Sequence, residues 1–141
     1  MNEIFPEWNK LLQMKQGGIF MKEFITGNSF PMGLIRREVS IQPVTLEEYK
    51  DCLAKGVWGS YWGHKDTLKA VSDWCGFDLT PSEERPALTL DEHNYPALFG
   101  KSYLECWVVS PEYPAGFRPA LGAEVAGDKI LAWHILRIQW V

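Results

Sequence analysis

Apolar residues recur with two spacings along this chain, at every second position in some segments and at every third or fourth position in others. The run Phe24-Ile25-Thr26 predicts a first strand, which is broken at Gly27-Asn28. Alternation of apolar and polar residues over 39–44 predicts a second strand. Both strands lie in the first third of the chain and precede the first clear helical pattern.

A capping-box sequence marks the start of that helix. In Thr45-Leu46-Glu47-Glu48, the threonine hydroxyl can accept from a backbone N–H of the first turn while Glu48 reaches back to Thr45. The helix is therefore predicted over 46–55, and Gly56 supplies the residue at which it ends.

The next strand is expected to run directly into a second helix. Residues 57–62 predict the strand, Gly63 breaks it, and the helix opens with His64-Lys65-Asp66-Thr67. Apolar residues at helical spacing continue to about Trp74, and Gly76 is the predicted end.

The second half of the chain predicts more strands. Short apolar runs at 87–90, 97–99 and 104–109 are strand candidates, and residues 110–127 are rich in proline and glycine and predict a loop. The final run, 130–141, is apolar on both faces, which is typical of a central strand or of one covered by a dimer partner. The pattern predicts a single compact α+β domain, α/β-like in its order, with a mixed sheet and flanking helices.

Residues 1–20 form a separate unit in the sequence. Their apolar positions predict a helical extension that ends at Gly17-Gly18 and docks on the domain or on a partner. The alternative is that Met21 is the effective start, because a self-sufficient pattern begins there. The domain is accordingly assigned to 21–141.

Composition narrows the classes of partner. The chain has 141 residues, 46% of them hydrophobic, and a net charge of -4. A broad basic surface for duplex nucleic acid is therefore not expected, and no run approaches the ~20 apolar residues of a membrane span. A small anionic ligand in a local basic pocket remains compatible with this charge.

The cysteines and two of the histidines favour structural roles. Cys52, Cys75 and Cys106 are widely spaced and contain no CxxC pair, so buried reduced thiols in a cytoplasmic protein are expected, without a metal or cofactor. His93 lies in a turn-rich sequence that predicts a solvated loop, and His134 is interpreted as a hydrogen-bonded core or interface residue.

The junction at His64 is the candidate for chemistry. A helix N-terminus offers unpaired backbone N–H groups and the positive end of the helix dipole, which together favour anions. A histidine at that place can contact a bound phosphate and transfer a proton. The tryptophans at 58, 62, 74, 107, 133 and 140 are expected in the core and the dimer interface, and the alternative for Trp62 is stacking on an adenine base.

Three motifs in this order resemble the viral ring nucleases, small anti-CRISPR proteins of crenarchaeal viruses and phages that act against type III systems. The motifs are Gly27-Asn28-Ser29-Phe30 after the first strand, Gly63-His64-Lys65-Asp66-Thr67 at the helix start, and Trp74-Cys75-Gly76 followed by Arg85. The resemblance covers about 21–90 in register, and the final strand is also similar to the family's C-terminus.

The resemblance implies a homodimer that holds cyclic tetraadenylate across its interface and cleaves it without a metal ion, in the cytoplasm of the host if the protein is encoded by a phage. The ribose 2′-hydroxyl would attack the adjacent phosphate, and His64 would act as general acid on the departing 5′-oxygen. The implied ligand-binding residues are Asn28, Ser29, Gly63, Lys65, Asp66, Thr67 and Arg85.

Two other functions are kept open. Pro31 and Asp66 stand where the family pattern has residues with small hydroxyl side chains, and this difference favours a protein that sequesters a cyclic nucleotide without cutting it. The third reading is a host-factor-binding protein with a vestigial nucleotide pocket. Formation of a product distinguishes cleavage from sequestration, and nucleotide binding distinguishes both of these hypotheses from host-factor binding.

Overall fold

The computed structural model describes residues 22–63, 65–84, 86–119 and 123–141. The helical extension expected for residues 1–20 lies outside these ranges, as do His64 and Arg85. In chain order the elements of the described part are β1 (Glu23–Gly27), β2 (Val39–Val44), α1 (Leu46–Lys55), β3 (Val57–Ser60), α2 (Lys65–Cys75), β4 (Leu88–Leu90), β5 (Pro96–Leu98), β6 (Lys101–Ser102), β7 (Glu105–Glu112) and β8 (Ala132–Trp140).

A mixed sheet of five strands in the order β2-β8-β7-β1-β3 organises the fold. β1 is parallel to both of its neighbours, β3 and β7, whereas β8 is antiparallel to β7 and to β2. The prediction of an α+β domain with a mixed sheet is confirmed. The interpretation of the last strand as central is also confirmed, since β8 lies between two other strands.

Both helices pack on one face of this sheet. Phe24 of β1 and Trp107 of β7 project to that face and form a core with Tyr49 of α1 and Val71 of α2. The hydroxyl groups of Thr26 and Tyr49 are 2.7 Å apart, so a hydrogen bond accompanies the apolar contact. Because side chains alternate along a strand, the neighbouring residues of β1 and β7 face the other side.

A small antiparallel sheet of three strands, β4-β5-β6, covers part of that second face. Leu98 of β5 and Tyr103, the residue after β6, pack against Ile25, Cys106 and Ile138 of the main sheet. The sequence predicted strands near β4 and β5 but did not predict β6 or the separation of these strands from the main sheet. The described residues thus cover the second face only in part: Ile138 and Trp140 of β8 are buried there, whereas Ile41 of β2 and Leu136 of β8 are exposed.

Tight turns explain why these short strands pair with one another. Phe99 and Gly100 both have positive φ, 54° and 79°, as a two-residue type I′ hairpin requires. In the preceding hairpin, Asp91 Oδ1 accepts from the backbone N–H groups of His93 (2.8 Å) and Tyr95 (2.9 Å). Phenylalanine is an unusual residue at such a φ, so alternation alone could not place this turn.

Two strand ends differ from the prediction. β3 stops at Ser60 rather than at residue 62, because Ser60 Oγ accepts from the backbone N–H of Trp62 (3.2 Å) and turns the chain out of the strand. β7 continues to Glu112, into the segment predicted as a loop. Beyond Val108 its only strand neighbour in the described part of the chain is β8, and Pro111 is tolerated there because that portion lies at an edge.

Both helices begin and end close to their predicted residues. Thr45 Oγ1 accepts from the Glu48 backbone N–H (3.1 Å), and Glu48 Oε1 accepts from the Thr45 N–H (2.9 Å), which completes the capping box. α2 ends before Gly76, whose φ of 82° is the left-handed conformation that glycine adopts without strain.

We expect Thr45→Ala to lower the free energy of unfolding by about 1 kcal/mol, because one backbone donor loses its acceptor. Thr45→Ser keeps the hydroxyl and should stay close to the wild type in urea unfolding. The hydrogen bonds from Thr45 lower the pKa of the Glu48 carboxyl, the backbone one contributing most. The contribution of the cap is therefore present at neutral pH and is lost as the pH falls through that lowered pKa. An equal loss in Thr45→Ala and Thr45→Ser would contradict this account.

Candidate functional site

The carboxyl ends of three parallel strands meet at one edge of the main sheet, which we call the carboxyl edge. β1 ends there at Gly27, β3 at Ser60 and β7 at Glu112. In open sheets with parallel strands, ligands bind in the crevice outside these ends. Asn28 and Ser29 follow β1 directly, and Gly63 comes shortly after the end of β3 at Ser60, so the topology brings two of the sequence motifs to the same edge.

A hydrogen bond joins the two motifs. Asn28 Oδ1 accepts from the backbone N–H of Gly63 at 3.1 Å, although the residues are 35 positions apart. Gly63 is exposed and Asn28 is half-buried. Since Oδ1 is used in this way, Nδ2 is the atom of the Asn28 amide that can donate to a ligand.

Tyr61 fixes the turn that carries Asn28 and Ser29. Its hydroxyl donates to the carbonyl oxygen of Ser29 at 2.7 Å and lies 3.1 Å from Cys106 Sγ. Its ring occupies the space that a side chain at Gly27 would need, which explains the glycine of the first motif. Burial raises the pKa of both groups, that of the Cys106 thiol to about 12, so both are protonated at neutral pH.

The first turn of α2 is anchored from beneath. The indole Nε1 of Trp62 donates to Thr67 Oγ1 at 3.2 Å, and both side chains are buried. Trp62 is only 3% exposed and belongs to the core between helices and sheet, as expected for the tryptophans, and the alternative of open stacking on a base does not fit this burial. Thr67, predicted to bind ligand, has its hydroxyl engaged in holding Trp62.

Two clefts lie on either side of this helix start. The first, the proline cleft, has a volume of about 450 Å³ and apolar walls formed by Trp62, Leu68, Pro81 and Pro86. Its polar lining comes from Lys65, Thr80, Glu83 and Glu84, and Gly63 also lines it. The second, the asparagine cleft, has a volume of about 310 Å³, and Asn28, Asp66, Thr67 and Tyr113 line it.

The predicted ligand-binding residues are thus distributed over both clefts. Asn28, Asp66 and Thr67 line the asparagine cleft, while Gly63 and Lys65 line the proline cleft. Ser29 is exposed, and its backbone carbonyl oxygen accepts the hydrogen bond from the Tyr61 hydroxyl. His64 and Arg85 are the two predicted residues whose positions lie outside the described ranges.

Charges around the clefts are mixed. Lys65 Nζ lies 3.3 Å from Glu84 Oε2, and both side chains are about three-quarters exposed. An exposed pair of this kind contributes about 0–1 kcal/mol, so an anionic ligand can displace Glu84 from Lys65. Two further carboxylates belong to the described lining residues, that of Asp66 in the asparagine cleft and that of Glu83 in the proline cleft. They make the surroundings of the helix start acidic.

A histidine and a carboxylate that were not predicted to act together also lie at the carboxyl edge. His134 Nε2 is 2.8 Å from Glu112 Oε1. The side chain of His134 is 63% exposed, so it is not a core residue of this chain. The β7–β8 register could have revealed the pair only if β7 had been predicted to continue beyond residue 109.

The described residues offer neither a metal-ligating cluster nor a membrane-spanning helix. No group of three metal-ligating side chains occurs among the residues that the structure describes. Over the same residues, no helix is long and apolar enough to cross a membrane. All three cysteines are free thiols, and Cys75 and Cys106 are buried.

Comparison with known proteins gave one kind of match. No family model matches the chain, and no curated protein matches it in sequence. Among solved structures, B116 of Sulfolobus turreted icosahedral virus (STIV) is similar, with a TM-score of 0.49 and 15% sequence identity. The match covers 84% of this chain and 98% of that one.

We expect Gly27→Ala to destabilise the protein by about 1–3 kcal/mol, because the added methyl group would overlap the Tyr61 ring. Gly33→Ala is the matched control, since a methyl group there meets no atom within 4 Å. Urea unfolding of the two variants measures the difference. Equal stability of the two would show that Tyr61 does not constrain the turn.

Stability should also fall at alkaline pH. Burial raises the pKa of Cys106 to about 12 in the folded protein, against an ordinary value near 9. The stability that the neutral thiol contributes is therefore complete below pH 9 and is lost as the pH rises toward 12. Between pH 9 and about pH 10, the ordinary pKa of tyrosine, we expect the stability of Cys106→Ala to fall less steeply than that of the wild type. Parallel declines in thermal unfolding would contradict this assignment.

Proposed function

We propose that this protein binds a cyclic oligoadenylate at the carboxyl edge and cleaves it without a metal ion, with His64 as the general acid. The observation that carries the proposal is the hydrogen bond from the Gly63 N–H to Asn28 Oδ1. It joins two motifs of the ring-nuclease resemblance at one place. The role that would follow is a viral or mobile-element protein that lowers the messenger of type III CRISPR signalling.

The backbone around Gly63 supports phosphate binding. Gly63 precedes by two residues the first helical residue of α2, Lys65, and the N-terminus of a helix favours negative charge. A glycine lets a phosphate oxygen approach the main chain closely. Asn28 Nδ2 and Lys65 Nζ then supply a neutral and a charged donor on the two sides of this point.

The proposed reaction needs no group beyond the ligand and this chain. The 2′-oxygen of a ribose forms a bond to the adjacent phosphorus, and the bond from phosphorus to the 5′-oxygen breaks. Protonated His64 gives its proton to that 5′-oxygen, while the 2′-hydroxyl proton passes to solvent or to a base. The products are a 2′,3′-cyclic phosphate and a 5′-hydroxyl, and His64 regains its proton from water.

A homodimer is part of this proposal. On the partly covered face of the sheet, Ile41 of β2 is 50% exposed and Leu136 of β8 is 41% exposed. Pro43 lies opposite Leu136 in the β2–β8 register, so the three residues form one apolar patch. A second copy of the chain placed over this patch would bury it, as the resemblance implies.

The test is incubation with cyclic tetraadenylate, followed by chromatography for linear products in the presence and absence of EDTA. We expect cleavage in both conditions, loss of cleavage with retained binding in His64→Ala, and about tenfold weaker binding in Asn28→Ala. His93→Ala is the control, because His93 lies in an exposed hairpin loop. Equal turnover by His64→Ala and the wild type would contradict the role of His64 as general acid.

A specific observation favours the alternative of sequestration without cleavage. Asp66 lies in the first turn of α2 and lines the asparagine cleft beside Asn28. A carboxylate there disfavours the extra negative charge that develops on the phosphate in the transition state. Thermal stabilisation by cyclic tetraadenylate without product would support this alternative, and the absence of stabilisation would count against both functions.

A further inference from the structure

We propose that residues 1–20 of this chain dock in the proline cleft, with an apolar stripe of the segment against the walls of the cleft and a lysine against one of its carboxylates. The inference goes beyond the proposed function and does not depend on the ligand named there. It gives a place to the segment that the sequence separates from the domain.

A stripe of four side chains runs along the helix that the sequence predicts for this segment. Trp8, Leu11, Leu12 and Lys15 occur at i, i+3, i+4 and i+7, the spacing at which side chains of a helix share one face. Lys10 falls on the opposite side of the same helix. A surface that covers the stripe therefore needs apolar walls for three side chains and an acceptor for one ammonium group.

The proline cleft has apolar walls of this kind. Leu68 on α2 and Pro81 and Pro86 on the following segment are half-buried, and the buried Trp62 lines the cleft with them. The volume of about 450 Å³ has room for side chains rather than for a folded partner. Helices that dock in apolar grooves use anchors at the spacing i, i+3, i+4 and i+7, which is the spacing of the stripe.

The charges of the cleft complement Lys15. Glu84 is paired with Lys65 at 3.3 Å, whereas no ion pair joins Glu83 to another of the residues that the structure describes. The exposed carboxylate of Glu83 can therefore accept from the ammonium group of Lys15 while the pair between Lys65 and Glu84 stays intact. Such a contact fixes the register of the docked helix more than it adds affinity.

The wall that follows α2 is held in place before the segment docks. Ser60 Oγ donates to the carbonyl oxygen of Leu79 at 2.5 Å, and Ser72 Oγ accepts from the Leu79 N–H at 3.2 Å. Asp78 Oδ1 accepts from the backbone N–H of Thr80 at 3.0 Å and from its hydroxyl at 2.6 Å. The wall is thus tied to both β3 and α2, which reduces the entropy cost of docking.

The connection between the segment and β1 is long enough to reach the cleft. The carbonyl oxygen of Lys22 accepts from the Val57 N–H at 2.8 Å, so the segment joins the domain beside the start of β3, while Gly63 lines the cleft beyond the other end of β3. Six residue steps separate Val57 from Gly63 and cover at most about 20 Å. Seven steps separate Lys15 from Lys22 and can span up to about 23 Å, and Gly17-Gly18 permits a turn within them.

Docking at this place would control access to the start of α2. Gly63 and Lys65 line the same cleft as the apolar walls. A docked segment therefore covers one side of the helix start, and its release opens that side.

The experiment is an NOE measurement by NMR on the full chain labelled with ¹³C and ¹⁵N. We expect NOEs from the indole protons of Trp8 and the methyl protons of Leu11 to the methyl groups of Leu68. The indole N–H signal of Trp62 should shift in Leu11→Ser and stay in place in Gln13→Ser, a matched change on the opposite side of the predicted helix. Absence of these NOEs, or an unchanged Trp62 signal in Leu11→Ser, would overturn the proposal.

An equal mixture of labelled and unlabelled chains distinguishes docking within one chain from docking on a second copy. We expect no NOE between a labelled and an unlabelled chain at these positions. If the NOEs to Leu68 arise only between chains, the occupant is the segment of a second copy, and docking within the chain is wrong.

The contact between Lys15 and Glu83 is tested by exchanging their charges. Lys15→Glu and Glu83→Lys should each make chymotrypsin cleave the segment about two- to fivefold faster, because the undocked population rises, and the double variant should return to the wild-type rate. Lys10→Glu is the control, since Lys10 lies off the stripe. Equal rates for Lys15→Glu and Lys10→Glu, or a double variant as fast as the single ones, would contradict this contact.

Discussion

The parallel pairing of β1 with β3 on one side and β7 on the other is the constraint on which the rest of the structure depends. It brings the ends of three strands, far apart in sequence, to one edge of the sheet. The face beneath is closed by α1 and α2, and the other face in part by the small sheet. Removing any one of these layers would expose β1, whose residues 24–27 are all buried. The candidate site is formed by the residues that follow the ends of these parallel strands, so the sheet itself positions it.

Much of this arrangement could be predicted from local signals. The capping box at Thr45, the glycine after each helix and the apolar final strand each depend on neighbours in sequence, and each was predicted close to its observed place. The predictions failed where a distant partner decides the conformation. β7 continues through Pro111 because β8 pairs with it there, and Phe99 adopts a positive φ because the hairpin between β5 and β6 requires it. Neither cause can be read from the residues nearby.

The same difference between local sequence signals and distant contacts applies to the candidate site. Sequence motifs pointed to Asn28 and Gly63 separately, and the structure joins them through one hydrogen bond. They did not point to the proline cleft, because one of its walls comes from the segment after α2, which has no recognisable pattern and is tied to β3 by Ser60. They also did not reveal Tyr61 as the residue that holds the Ser29 turn, since a tyrosine in an apolar strand looks like ordinary core. Contacts between strand ends, rather than the motifs themselves, define the site.

The ion pair between Lys65 and Glu84 has a consequence for how the proline cleft responds to its medium. The pair joins α2 to the segment opposite, and both partners are in water, so dissolved salt weakens it. As the ionic strength rises, Lys65 and Glu84 therefore spend less time in contact, and the link between α2 and the opposite wall of the cleft weakens. The proline cleft would thus keep this link across it in dilute solution and lose it in concentrated salt.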